Sequence, residues 1–97
     1  MSGSATSRDK LDERRKRLIY RCWHRGTREM DLILGRFADA HMSNLDTAEL
    51  DDLEQLITLP DPDLYAAFSG ATPPAGGEYA TAIFARIRAF ARSDRHE

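Results

Sequence analysis

The sequence is short of the residues that build disulfides, metal sites and sheets. One cysteine, Cys22, stands in 97 residues, which excludes a disulfide within the chain and fits a reducing compartment. The three histidines, His24, His41 and His96, fall in separate segments with no HxxxH, HExxH or CxxC spacing. No metal ligand set is expected, and these read as surface or interface histidines. There is no run of about 18 apolar residues to cross a bilayer and no charged-then-apolar opening of a secretory signal, so a soluble cytoplasmic protein without membrane insertion is the expectation. No segment alternates apolar and polar positions with β-branched residues, so no strand is predicted. Gly76-Gly77 lacks a following Lys-Ser or Lys-Thr, which excludes a phosphate loop. Asp61-Pro62-Asp63 lacks the alternating oxygen ligands and closing glutamate of a calcium loop, and capping explains it. No acid, base and nucleophile converge, so no catalytic residue is assigned and an enzyme is not expected.

Charge is present but segregated. From Arg8 to Arg36 there are ten Lys/Arg against five Asp/Glu; from Phe37 to Gly70 there are eight Asp/Glu and no Lys/Arg, within a chain of formal net charge −2. The expected molecule is an electrostatic dipole, which orients a protein partner but repels a polyphosphate laid across the whole surface. Nucleic acid is therefore not the expected partner.

Ninety-seven residues make one domain, expected over 9–93, with a disordered leader at 1–8 and a frayed tail at 94–97. Apolar positions Leu11, Leu18, Ile19, Cys22 and Trp23 predict a first helix over Asp9–His24. Met30, Ile33, Leu34, Phe37, Ala38 and His41 predict a second from about Thr27 to His41. Asp46 as cap, Glu49 reaching back to it and Leu45 stapled on Leu50 start a third, whose stripe is Leu50, Leu53, Leu56 and Ile57 and whose end is Leu59-Pro60. A short fourth helix fits Pro62–Ser69, with Asp61 as cap and Leu64, Tyr65 and Phe68 inward. After the Thr72–Gly77 loop, a fifth opens at Glu78 and buries Ala80, Ile83, Ile87, Phe90 and Ala91. The fold class expected is all-α, a compact five-helix bundle.

The most constrained stretch is the corner between the first two helices, Arg25-Gly26-Thr27-Arg28-Glu29. Gly26 is what a helix stop wants and Glu29 is where a first turn favours an acid; Arg25, Arg28 and Arg21 are left over. On its residues alone the corner is either a capped turn or a charged surface for a partner's carboxylates, phosphate or carbonyls, with glycine allowing close approach. Cys22 lies on an apolar stripe and reads as core, while Trp23 is core or the edge of an interface.

Arg25-Gly26-xx-Glu29, followed by Asp31 and an apolar helix ending near Phe37, resembles the RGxxE signature of the succinate dehydrogenase assembly factor 2 family, the bacterial SdhE flavinylation factors and their mitochondrial relatives. Asp61-Pro62-Asp63-Leu64, closely followed by an aromatic, also looks like that family, and the resemblance covers about Arg8 to Arg92. It implies a chaperone-like assembly factor that binds the flavoprotein subunit of succinate dehydrogenase, in some bacteria of fumarate reductase, and promotes covalent attachment of FAD to a histidine of that subunit. The FAD belongs to the client, and no cofactor is held permanently by this chain. Carried over, Arg25, Gly26 and Glu29 are the core of the contact, held outward by the turn, with Thr27, Arg28 and Asp31 beside them; Thr27 stands where the family often has methionine. A cytoplasmic bacterial monomer is the expectation. Two other readings stay open on the residues: a helical adaptor for an unrelated protein, and a small nucleic-acid-binding domain using Lys10, Arg14, Arg15, Lys16, Arg17 and Arg21.

Overall fold

Four of the five helices begin where a short polar side chain caps them. In the computed structural model, which describes residues 12–70 and 77–94, α1 spans Glu13–Trp23 and α2 spans Arg28–His41. Thr47–Leu56 forms α3, Asp61–Ser69 forms α4 and Ala82–Asp94 forms α5. Single 3₁₀ turns cover Met42–Asn44 and Gly77–Ala80. Among the described residues there is no strand, so the all-α, five-helix expectation is borne out. The expected leader, the Pro/Gly loop before Gly77 and residues 95–97 of the tail lie outside the described residues.

The starts of α1 and α5 are set by side-chain caps. Asp12 is extended (φ −83°, ψ 178°) and its carboxylate accepts the Arg15 amide, so α1 begins at Glu13; the expected start at Asp9 and the expected stripe residue Leu11 lie outside the described residues. The Thr81 hydroxyl accepts the Phe84 amide at 3.2 Å, so α5 begins at Ala82, and Glu78 belongs to the 3₁₀ turn before it. At α3 the expected capping box is present in both directions: the Asp46 carboxylate accepts the Glu49 amide at 2.8 Å, and the Asp46 amide donates to the Glu49 carboxylate at 2.9 Å.

α1 and α2 form a close hairpin, and α5 packs against α2, α3 and α4. The core draws Leu18 and Cys22 from α1, Leu34 and Phe37 from α2, Leu53 and Leu56 from α3, Leu64 and Phe68 from α4, and Ile83 and Ile87 from α5, all buried. Phe84, outside the expected stripe, stacks on Phe68 at 5.1 Å between ring centroids. Met42 is also buried; the 3₁₀ turn that carries it follows α2 directly and hid it from a 3.6-residue period. Two expected core positions are outside. Ala80 is exposed, because the 3₁₀ turn breaks the helical register, and Tyr65 is 45% exposed.

The charge segregation is folded back on itself. Arg14 donates to Asp51 at 2.6 Å and to both oxygens of Glu54 at 2.8 and 2.9 Å, and Arg86 pairs with Glu49 at 2.8 Å. Arg15 donates to the carbonyls of Met42 and Leu45 and to Asp12. The basic first helix thus leans on the acidic third, and the expected dipole is partly cancelled within the molecule. The hydrogen bond from Arg14 holds the Glu54 carboxyl below its usual range, and the Arg15 amide does the same to Asp12. A carboxyl depressed on folding contributes stability above its unfolded value, near 4, and loses it as pH falls through the folded value. Thermal melts followed by circular dichroism should therefore hold level from about pH 6 to 8 and decline below about pH 4, with a shallower decline in Glu54→Gln.

Candidate functional site

Four hydrogen bonds fix the corner. The amide of His24 closes α1 onto the Arg21 carbonyl at 3.4 Å, and its Nδ1 lies 2.7 Å from the Tyr20 carbonyl oxygen. A carbonyl can only accept, so that nitrogen carries the proton. The chain then reverses at Gly26, whose φ of +110° is a conformation that side chains disfavour. Thr27 caps α2, its hydroxyl accepting the Met30 amide at 3.3 Å, and Asp31 reaches back from the first turn to accept the Arg25 amide at 2.6 Å.

Arg25 is where the structure departs most from the sequence reading. Its side chain is 12% exposed and folds inward, away from the outward position expected. Nε donates to Asp61 at 2.9 Å, Nη1 to the Ile57 carbonyl at 2.6 Å and Nη2 to the Leu59 carbonyl at 3.0 Å. Helix ends leave carbonyls unpaired, and the turn after α3 presents them with no glycine to close it; a planar guanidinium with forked donors satisfies two carbonyls and one carboxylate together. Asp61 is correspondingly not the cap of α4: Pro60 holds the cap position without a side-chain bond, and the Asp61 carboxylate, 15% exposed, faces Arg25. The two motifs, 36 residues apart, are thus one structural unit. Asp31 is half-buried and engaged in the turn, leaving Gly26, Thr27, Arg28 and Glu29 as the exposed members of the expected set.

Aromatic residues flank the exposed corner. Tyr20, 63% exposed, stacks on the His24 ring at 3.9 Å. On the other side Tyr65, with Thr27, Glu29, Asp61 and Pro62, lines a shallow depression. Beneath the corner Trp23 lies flat on α2 over Gly35, with its indole N–H donating to Asp39 at 3.2 Å. A Cβ at position 35 would meet Trp23 Cδ2 at 2.2 Å, so Gly35 is the seat of the ring. A glycine inside an otherwise regular helical pattern was the one sequence sign of this contact.

Cys22 is fully buried, and burial pushes its thiol up to about 12. The thiolate is then scarce at pH 8. Labelling by a disulfide reagent should proceed only as fast as the protein opens, and rise to the rate of a free thiol in denaturant. Among the described residues, no group of three His, Cys, Asp or Glu could hold a metal ion, and no helix is long and apolar enough to cross a membrane.

Fold and corner together define a class: a small all-α protein with a charged, glycine-containing turn between two amphipathic helices. The chain belongs to the family described as the flavinator of succinate dehydrogenase, whose profile matches residues 16–91, the family that the two motifs resemble. It is 39% identical over 72 residues to the FAD assembly factor SdhE of Acetobacter pasteurianus, an alignment covering 74% of this chain and 66% of that protein. To the mitochondrial succinate dehydrogenase assembly factor 2 of Meyerozyma guilliermondii it is 41% identical over 54 residues, 56% of this chain and 40% of the relative. To that of Dictyostelium discoideum it is 38% identical over 55 residues, 57% and 39%. The chain thus spans 66% of the bacterial relative's length and 40% and 39% of these mitochondrial ones. No solved structure matches it.

Proposed function

We propose that this protein is an assembly factor that binds the flavoprotein subunit of succinate dehydrogenase and promotes covalent attachment of FAD to it, acting as a cytoplasmic monomer without catalytic residues or a resident cofactor of its own. Family membership supports succinate dehydrogenase as the client, and the observation that carries the reading to particular residues is the exposed turn Gly26–Glu29, held from behind by Arg25. Attachment requires a histidine of the client to be held against the flavin, a demand of positioning. A rigid turn that binds one arrangement of the client's domains better than the others shifts the population toward it without entering the chemistry.

Glu29 and Arg28 supply charge-assisted hydrogen bonds across such an interface, and Gly26 lets the two backbones approach. The reading of α1 as a nucleic-acid surface loses support, since Arg14 and Arg15 are spent on intramolecular partners.

The direct test is co-expression with the organism's flavoprotein subunit, scoring protein-bound flavin fluorescence after denaturation with and without this chain. A Gly26→Leu variant should abolish the gain. Among the described residues, none beyond the two chain neighbours has an atom within 4 Å of where a Cβ at position 26 would stand, so the fold loses only the backbone strain of the positive φ, about 1–3 kcal/mol, while the side chain projects into the docking face. Normal flavin attachment with Gly26→Leu or Glu29→Ala would refute the role of the corner.

A further inference from the structure

Beside the corner, α2, α4 and α5 enclose a cleft of about 200 Å³. Leu32, Ile33, Phe68 and Phe90 give it an apolar floor, and Glu29 stands at its corner end. Arg36, on the same face of α2 seven residues further on and so about 10 Å along the axis, stands at the other end, where Arg92 of α5 adds a second cation. The cleft is continuous with the corner on both flanks. Glu29 and Tyr65 line it and also the depression formed with Thr27 and Pro62, while Leu32 lines it and also the surface around Gly26 and Arg28. Leu32 is not part of the packed core, and Tyr65 is a large apolar residue left in solvent. Both keep apolar surface that the fold leaves partly open.

We propose that this cleft is the second half of the docking surface and takes one apolar side chain, of leucine to phenylalanine size, from the flavoprotein subunit. Glu29 at the corner end sets the polarity of the segment that carries the side chain: a basic residue of the client faces it. An apolar anchor in a pocket, ringed by charge that excludes water, is how a small interface concentrates its binding energy. The corner then supplies close backbone approach and the cleft supplies affinity. The inference rests on the reading of the corner as the site that docks the flavoprotein.

The test uses the full chain and the purified flavoprotein subunit. Binding is titrated for the wild type, for Glu29→Gln, for Leu32→Asp, which puts charge in the cleft, and for Ser69→Trp, which fills it from an exposed position on α4. Both cleft variants should weaken binding by about tenfold or more while melting as the wild type does. In the methyl NMR spectrum of the wild-type chain, the Leu32 and Ile33 signals should shift on adding the flavoprotein, a readout that decides the matter even where a variant fails to fold. Weakened binding in Glu29→Gln, with wild-type binding in both cleft variants and unmoved Ile33 methyls, would overturn the cleft and leave the corner standing. A wild-type chain that does not bind the flavoprotein at all would remove the functional reading itself. A dimer of this chain that Leu32→Asp dissociates, with client binding unchanged, would make the cleft a contact between copies and overturn the proposal.

Discussion

Replacing Arg25 with alanine is expected to lower the melting temperature by roughly 10–20 °C, the equivalent of about 3 kcal/mol in a chain of this size. The substitution removes a guanidinium that is 12% exposed and leaves Asp61, 15% exposed, without its cation, together with the carbonyls of Ile57 and Leu59. Breaking one side of a buried pair costs more than the pair contributes net, because the abandoned charge and carbonyls keep their desolvation penalty. Arg25→Lys should recover part of the loss, since a point charge on a flexible stem reaches Asp61 but cannot serve three acceptors in one plane. Asp61→Asn, which keeps an acceptor, should cost less than Arg25→Ala. Thermal melts of the three variants check the order. Flavin attachment measured well below their melting temperatures then separates a buttress from a contact. If Arg25→Ala melts like the wild type yet fails to bind the client, the side chain acts in the interface and its inward pose is not the functional one.

Gly35→Ala carries the second large effect, and its sign is set by competition. In a helix interior, alanine is favoured over glycine by about 1 kcal/mol. Here the new methyl would stand 2.2 Å from Trp23 Cδ2 and 2.5 Å from Cε2 and Cε3, contacts that require the indole to leave its seat and give up its packing and its bond to Asp39. Displacing a packed tryptophan costs about 3 kcal/mol or more, so the substitution should destabilise by about 2 kcal/mol net and shift the tryptophan emission to longer wavelength. The decisive measurement is a double-mutant cycle. In a Trp23→Ala background the obstacle is gone, and Gly35→Ala should turn stabilising by up to about 1 kcal/mol. A Gly35→Ala effect of the same sign and size in both backgrounds would show that the ring is not what position 35 accommodates.

The helices were legible because their signals are local. Caps such as Asp46 with Glu49, and stripes such as Leu50, Leu53 and Leu56, act over three or four residues, within reach of spacing arguments. The corner was legible as a place, since Gly26 and Thr27 mark it, and it matches residues that the family resemblance singled out. The direction of its side chains was not legible. Arg25 has acceptors 32 to 36 residues away, and nothing near it in sequence says whether it faces them or water. Asp61 was misread for a related reason: an acid just before Pro62 is a sufficient cap by local rules, and a distant arginine outbid that role. Tyr65 failed differently, because in a nine-residue helix the apolar face is too short to define its own edge.

The Arg25–Asp61 clasp also decides what can be borrowed from this molecule. A synthetic hairpin of α1 and α2 would carry every residue of the exposed turn and both flanking helices, but it would lack the Ile57–Asp61 segment that anchors the guanidinium. In such a peptide Arg25 would lose its acceptors on that segment, swing free and loosen the loop. A faithful mimic of the turn, as an inhibitor or a probe of the client, must therefore be a two-segment epitope that includes the distant strap, and in practice that means most of the protein.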